Sequence, residues 1–279
     1  MALDLLNPKT ALDLGNIRYT LIRLEDTIIF NLIERAQFPL NPSIYIPGAV
    51  PLPNFKGSFL DWLLTEVEHT HGILRPAVDL KLCLTCISAK IRRYQSPDEY
   101  PFTSDLPEPI IPPLRYPSLL HQKQNVNVNP KIYHSYIHEI LPRITQNLPD
   151  KGESQENYGS ASVRDVECLQ SLSRRIHFGK FVAEVKFQSE TEKITELIKR
   201  RDAKGLDEAI TNAAVERQVL QRLATKAKTY GRDPRAGAEA LRSKEADKVD
   251  VDAVVAIYRD IVIPLTKEVE VEYLLARLD

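Results

Sequence analysis

Between Asn157 and Gln188 apolar residues recur at nearly helical spacing, at Val166, Leu169, Leu172, Ile176, Phe181 and Val185. A stripe of that period and length has to be buried by other helices, so it fixes the kind of packing the rest of the chain must supply. Ser162 followed three residues later by Asp165 predicts a capping box at the start of the helix. Arg175 and Lys186 stand eleven residues apart. At about 100° per residue that is three turns plus roughly 20°, which puts both side chains on one face, about 16 Å apart along the axis. Spacing alone leaves two outcomes open. The commoner is a solvated basic stripe; the other is a pair of cations gripping a small dianion.

Leu14, Ile17, Leu21, Leu24 and Ile28 step by three and four, a seam of nearly coiled-coil period with Arg18 at its edge. A second helix is expected over Phe59–Glu68, around Trp62, and another over Tyr133–Ile144. Seven prolines between residues 97 and 117 make that segment a long extended connection. A polar loop over Pro149–Asn157 precedes the central helix. After that helix come 191–201, 206–230 and 251–277, separated by Gly205 and by a loop over 231–250. The last of these is contested. Val269-Glu270-Val271-Glu272 alternates with period two and β-branched residues are dense from Val254 to Val271, which speaks for a strand. Tyr258, Ile261, Leu265, Val269 and Leu275 carry a helical stripe instead, and with the resemblance described below the segment reads as a helix kinked near Pro264.

Composition removes several function classes. A chain of 279 residues, 43% of them hydrophobic, can bury a sizeable core as one large domain or two small ones. Its net charge of −1 with 27% charged residues gives no broad field for nucleic acid, so the cluster Arg174, Arg175, His177, Phe178 and Lys180 does not read as an RNA or DNA surface. No apolar run reaches the eighteen or so residues of a membrane span. The start of the chain carries neither a basic n-region nor a long apolar h-region, and three cysteines give no disulfide framework. The expectation is a soluble, cytoplasmic protein that grips any anion locally.

Leu172-Ser-Arg-Arg-Ile-His-Phe-Gly-Lys-Phe-Val-Ala-Glu184, with Asn16-Ile-Arg18 near the start and Thr266-Lys-Glu-Val-Glu-Val-Glu-Tyr-Leu-Leu275 at the end, resembles the fungal, allosterically regulated chorismate mutases. The likeness runs from about residue 10 to the C-terminus with one break. It implies an all-α fold, a single large helical domain with long helices around a buried pocket, assembled as a homodimer. It implies the rearrangement of chorismate to prephenate in phenylalanine and tyrosine biosynthesis, with no metal and no cofactor. Asn212 and Glu216 are i, i+4, as are Thr266 and Glu270, and each pair is by itself an ordinary surface pattern. By the resemblance these four, with Arg18, Arg175 and Lys186, match the catalytic set without substitution. Arg92, Arg93, Asn157, Gly159 and Ser160 match an effector site at the dimer interface, which in the family takes tyrosine as inhibitor and tryptophan as activator. Two positions depart from that pattern: Val163 and Asp250 stand where the best-known members have threonines. The competing reading, a helical module that senses aromatic amino acids without turnover, is opposed by the intact catalytic set.

The break is residues 72–88, which have no counterpart in the family's pattern. Removing them joins Val67–His71 to Ala89–Arg93 as one helix. Seventeen residues correspond to fifty-one nucleotides, a multiple of three and the length of a short intron, so the segment reads as a retained intron. If translated, Pro76 would break the helix near the joint, just before Arg92 and Arg93. Cys83-Leu-Thr-Cys86, with His69 and His71 nearby, is a metal or redox alternative, but a lone CxxC is weak and the histidine spacing fits no familiar zinc module.

Overall fold

The computed structural model describes residues 3–69, 92–121, 126–146, 152–231 and 248–279. Among them every regular element is helical. The first two are α1 (Pro8–Ala11) and α2 (Leu14–Ala36), with Asp13 capping α2 by accepting from the Asn16 N–H at 2.8 Å. α3 (Phe59–His69) follows, then the connection through 97–117, which holds neither helix nor strand. The remaining elements are α4 (Asn129–Ser135), α5 (Leu141–Thr145), α6 (Tyr158–His177), α7 (Gly179–Ser189), α8 (Thr191–Lys199), α9 (Ala203–Ile210), α10 (Ala213–Tyr230), α11 (Val251–Ile257) and α12 (Ile263–Leu275).

The central helix differs from its sequence reading in two ways. It starts at Tyr158, four residues before the predicted cap, and Ser162 and Asp165 are both fully buried inside it. Asp165 does not cap. Its carboxylate accepts from Arg35 Nε at 2.6 Å and from the hydroxyls of Tyr45 and Tyr136 at 2.8 and 2.7 Å, tying α2 to α6. A tertiary ion pair has taken the residue that local pattern assigned to a helix end. The second difference is that the predicted helix comes as two, α6 and α7, which meet at Phe178, a residue itself in helical conformation whose N–H bonds the Arg174 carbonyl at 3.0 Å.

The proline problem is solved by the same device twice. Pro264 has no N–H, and its ring would collide with the carbonyl one helical turn back. Before it, Tyr258–Val262 forms a wider π-helical turn, with the Ile263 N–H bonded to the Tyr258 carbonyl. Tyr136–Ile140 does the same before Pro142, with the Leu141 N–H bonded to the Tyr136 carbonyl. The segment stays helical without losing its core stripe. Its period-two valines and glutamates are compatible with a helix because α12 is packed by α6, α7, α8 and α9, burying Thr266, Val269, Glu270, Tyr273 and Leu274 on more than one face.

The expected helix over 206–230 is also two. Gly205 lies inside α9, and the chain breaks at Thr211 and Asn212 before α10. Two apolar cores result. One joins α2, α3, α6, α10 and α11 around Leu32, Leu60, Leu172, Leu223 and Ile257; the other joins α2, α7, α8 and α9 around Ile17, Phe181, Ile194 and Leu206. α2 and α12 contribute to both. Residues 72–88, with Pro76, Cys83 and Cys86, and most of the 231–250 loop lie outside the described residues, as does His71.

Candidate active site

Helices from both cores enclose a cavity of about 380 Å³. Six of the seven predicted catalytic residues line it: Arg18 from α2, Arg175 from α6, Asn212 and Glu216 at the start of α10, and Thr266 and Glu270 from α12. They come from residues more than 250 positions apart in sequence. Lys186 is not among the lining residues. Its amine is paired with Glu190 one turn along, and it is half-buried.

Arg175 is 7% exposed, yet among the described residues its Nε has no partner and its Nη1 makes only a 3.4 Å contact to Thr266 Oγ1. A buried guanidinium normally finds several strong acceptors. Thr266 spends its own hydroxyl hydrogen on the Val262 carbonyl at 2.6 Å, so its oxygen faces Arg175 as an acceptor. Asn212 does not sit on the helix with Glu216, as the i, i+4 spacing suggested; it caps α10. Its Oδ1 accepts from the Ala214 and Val215 N–H groups at 3.1 and 3.2 Å, which leaves the amide nitrogen for a ligand.

Three further charged residues line the cavity that the sequence reading missed. Lys267 pairs with Glu216 at 2.7 Å. Glu25 pairs with Arg222 through two contacts, Nε to Oε2 at 2.8 Å and Nη2 to Oε1 at 2.6 Å. Glu25 lies seven residues after Arg18, on the same seam, which was the available signal. Lys267 and Arg222 gave no comparable one.

These pairs decide the charge of the site. The lining holds four cations (Arg18, Arg175, Arg222 and Lys267) and three carboxylates (Glu25, Glu216 and Glu270). Two ion pairs cancel. Burial pushes the Glu270 carboxyl up to about 8, against the pull of Arg175 and Lys267 and with reinforcement from Asp207 and Glu216, so at neutral pH it is protonated. Arg18 and Arg175 remain, two cations facing one cavity with a neutral carboxylic acid beside them. That arrangement is complementary to a dianion with an acceptor atom between its charges.

Residues 157–271 match the family model described as chorismate mutase type II. The chain is 55% identical to the chorismate mutase of Emericella nidulans, over 99% of its own length and 97% of that protein's. This chain belongs to the chorismate mutases. Among solved structures it is similar to a Candida albicans chorismate mutase in complex with L-Trp, with TM-score 0.87 and 44% identity over 99% of this chain and 96% of that one. It is also similar to AtCM1 with tyrosine bound in its allosteric site, with TM-score 0.80 and 39% identity over 98% and 99% of the two chains.

The residues that the chorismate mutase pattern assigns to effectors are placed in two groups. Asn157, Gly159 and Ser160 form the first turn of α6, where Asn157 bonds Ser154 at 3.0 Å and the other two are exposed. Arg93 is anchored ten residues further on, donating to Gln170 at 2.9 Å and pairing with Glu99 at 3.2 Å. Ten residues are about 15 Å of helix, so the Arg93 anchor and the first turn of α6 stand apart along α6. Arg92 bonds the Pro112 carbonyl in the connection. Val163 is exposed one turn into α6, and Asp250 caps α11 by accepting from the Asp252 and Ala253 N–H groups. Among the described residues no helix is long and apolar enough to cross a membrane.

Proposed function

We propose that this chain rearranges chorismate to prephenate in the cavity between α2, α6, α10 and α12. Chorismate carries two carboxylates and an ether oxygen on which charge builds in a compact, chair-like transition state. The reaction forms no covalent enzyme intermediate, so the protein has to hold the reactive conformer and place donors where charge develops. The observation that carries this reading is the charge count: two arginines with no carboxylate partner among the described residues, and one neutral carboxylic acid, in a cavity whose other charges cancel. Arg18 and Arg175 take the carboxylates, Glu270 keeps its proton and donates a hydrogen bond to the ether oxygen, and Asn212, Glu216 and Thr266 orient the ring hydroxyl and the neighbouring groups.

Lys186 completes the set from α7. It lies one turn beyond Val182, which lines the cavity, so its four-carbon stem runs over the same helix face. Exchanging Glu190 for the substrate brings the amine to the ether oxygen. The decisive test is prephenate formation from chorismate by the purified chain, lost on Arg175→Ala.

The proposal extends to a cytoplasmic homodimer that binds tyrosine and tryptophan between its subunits. The relatives solved with L-Trp and with tyrosine support the effector class. The separation of Arg93 from Asn157, Gly159 and Ser160 supports a site made of one group from each subunit. Light scattering gives the mass. Arg93→Ala and Ser160→Ala chains, each unresponsive alone, should recover part of the tyrosine response when mixed.

A further inference from the structure

We infer that Gly179 is a positioning residue: the missing side chain at the start of α7 lets α12 lie close enough to hold Thr266 and Glu270 against Arg175. The inference rests on the rearrangement proposed above and concerns the same cavity.

A β-carbon built at Gly179 would stand 3.0 Å from Glu270 Cγ, 3.0 Å from Thr266 Cγ2 and 3.1 Å from the Thr266 carbonyl oxygen. All three distances are tighter than ordinary van der Waals contact. The Glu270 side chain could turn away, but the carbonyl is backbone, so α12 itself would have to give. Glycine is disfavoured inside helices relative to alanine, and no positive φ at this position asks for it. The contact with α12 is therefore the reason that remains.

The junction of α6 and α7 is tied on its other side, so it does not retreat to make room. His177 donates from Nδ1 to the Ser173 carbonyl at 2.8 Å and accepts at Nε2 from the Val128 N–H at 3.0 Å, which fixes a neutral ring in one tautomer. Lys180, 4% exposed, bonds the Val126 carbonyl and lies 3.9 Å from the centroid of the Tyr100 ring. Ser173 and Asn129 bond each other at 2.6 Å in the same cluster. Residues on either side of Gly179 are thus held to the segment 126–129, and a methyl group at 179 is directed onto the two α12 residues that face the substrate.

The experiment is Gly179→Ala, compared with the wild-type chain for kcat, KM and the pH profile of kcat with saturating chorismate, alongside circular dichroism and melting temperature. Thr266 and Glu270 act on the reacting core, so kcat should fall by about ten-fold or more while KM changes less than about three-fold. Displacing Glu270 toward the cavity improves its solvation. The groups facing it are Arg175 on α6, Asp207 on α9, Glu216 on α10 and Lys267 on its own helix, and none of these is changed. The alkaline limb should therefore move to lower pH. A variant with wild-type kcat and an unmoved limb overturns the inference. So does one that fails to fold, or that loses activity only in step with a fallen melting temperature, because Gly179 is then a packing residue. If the wild-type chain makes no prephenate, the functional reading itself fails; if it does and Gly179→Ala matches it, this inference alone fails.

Discussion

Arg35 and Arg175 are both buried arginines at the junction of α2 and α6 with other helices, and they are opposites. Arg35 is 0% exposed, and every nitrogen of its guanidinium has a partner. It pairs with Asp165 at 2.6 Å and donates to the Phe38, Pro39 and Leu40 carbonyls and the Tyr45 hydroxyl, at distances from 2.9 to 3.2 Å. Arg175 is 7% exposed, and among the described residues no carboxylate pairs with it. Burying a guanidinium costs several kcal/mol, and the protein offsets that cost at Arg35 with its own atoms. At Arg175 it does not. The difference separates a charge that holds the fold together from one that, in the function proposed above, is held ready for a substrate.

Substitution turns the comparison into measurements. Arg175→Ala should lower kcat/KM for chorismate by about 10²–10³-fold while moving the melting temperature far less than Asp165→Ala does, because it removes the proposed transition-state contact and strands no buried charge. Asp165→Ala should do the reverse. It strands Arg35 and two tyrosine hydroxyls in the core, which should cost about 3–5 kcal/mol of stability in urea unfolding, with kcat/KM per folded molecule nearly unchanged. A chain in which Arg175→Ala unfolds and Asp165→Ala inactivates without destabilising would erase the distinction.

Apolar pattern and family likeness together named the helices and six of the residues that line the cavity, and the misses share a cause. Apolar periodicity found α2, α3 and the core stripe of α6 because burial on one face leaves a record every three or four residues. It could not see that Asp165 belonged to Arg35, 130 residues away, and so placed it in a local capping box. Nor did it find the junctions at Phe178 and Thr211, which carry no proline; at the second, Asn212 caps the new helix. The residues of the charged set could be named only through family likeness, since Asn212–Glu216 and Thr266–Glu270 look like ordinary helix surface. Glu25–Arg222 and Lys267–Glu216, which neutralise the rest of the cavity, are cross-helix pairs whose pairing leaves no local mark, even where the place of Glu25 on the α2 seam does.

The second effect to measure is the protonation of Glu270. Its carboxyl sits at about 8 in the folded chain against an ordinary value near 4.5. If the protonated form donates to the ether oxygen, kcat falls as pH rises through about 8. Glu270→Gln, a permanent donor of similar shape, should stay active and lose most of that decline. Stability gives a second reading of the same shift. Between about 4.5 and 8 the folded chain holds a proton that the unfolded chain has released, so the wild type loses stability with rising pH in that window. Glu270→Gln lacks this term. It should be close to the wild type at pH 5 and more stable at pH 9, measured by melting temperature. An unchanged alkaline limb in the Gln variant would transfer the control of the profile to Glu216 or a lysine.

The smallest expected effect concerns Lys186, which holds a place between the two arginines of the comparison: charged, half-buried, and paired with a surface carboxylate instead of a core one. An exposed pair of this kind adds little to stability, so Glu190→Gln should leave the melting temperature unchanged. It should nevertheless matter to binding. Glu190 accepts from Lys186 and Lys193, and the lysine must leave it to reach the substrate. With Gln at 190 the dianion no longer competes with a carboxylate for the amine, so KM should fall by about two-fold with kcat nearly constant. The gain should shrink as salt is raised, since interactions between exposed charges are screened over about 8 Å at physiological ionic strength. Lys186→Ala sets the scale, because it removes the amine altogether and should cost far more in kcat than Glu190→Gln returns in KM. If Lys186→Ala keeps wild-type kinetics, Lys186 belongs to the surface pair in which the structure places it, and the rearrangement is carried by Arg18, Arg175 and Glu270 without it.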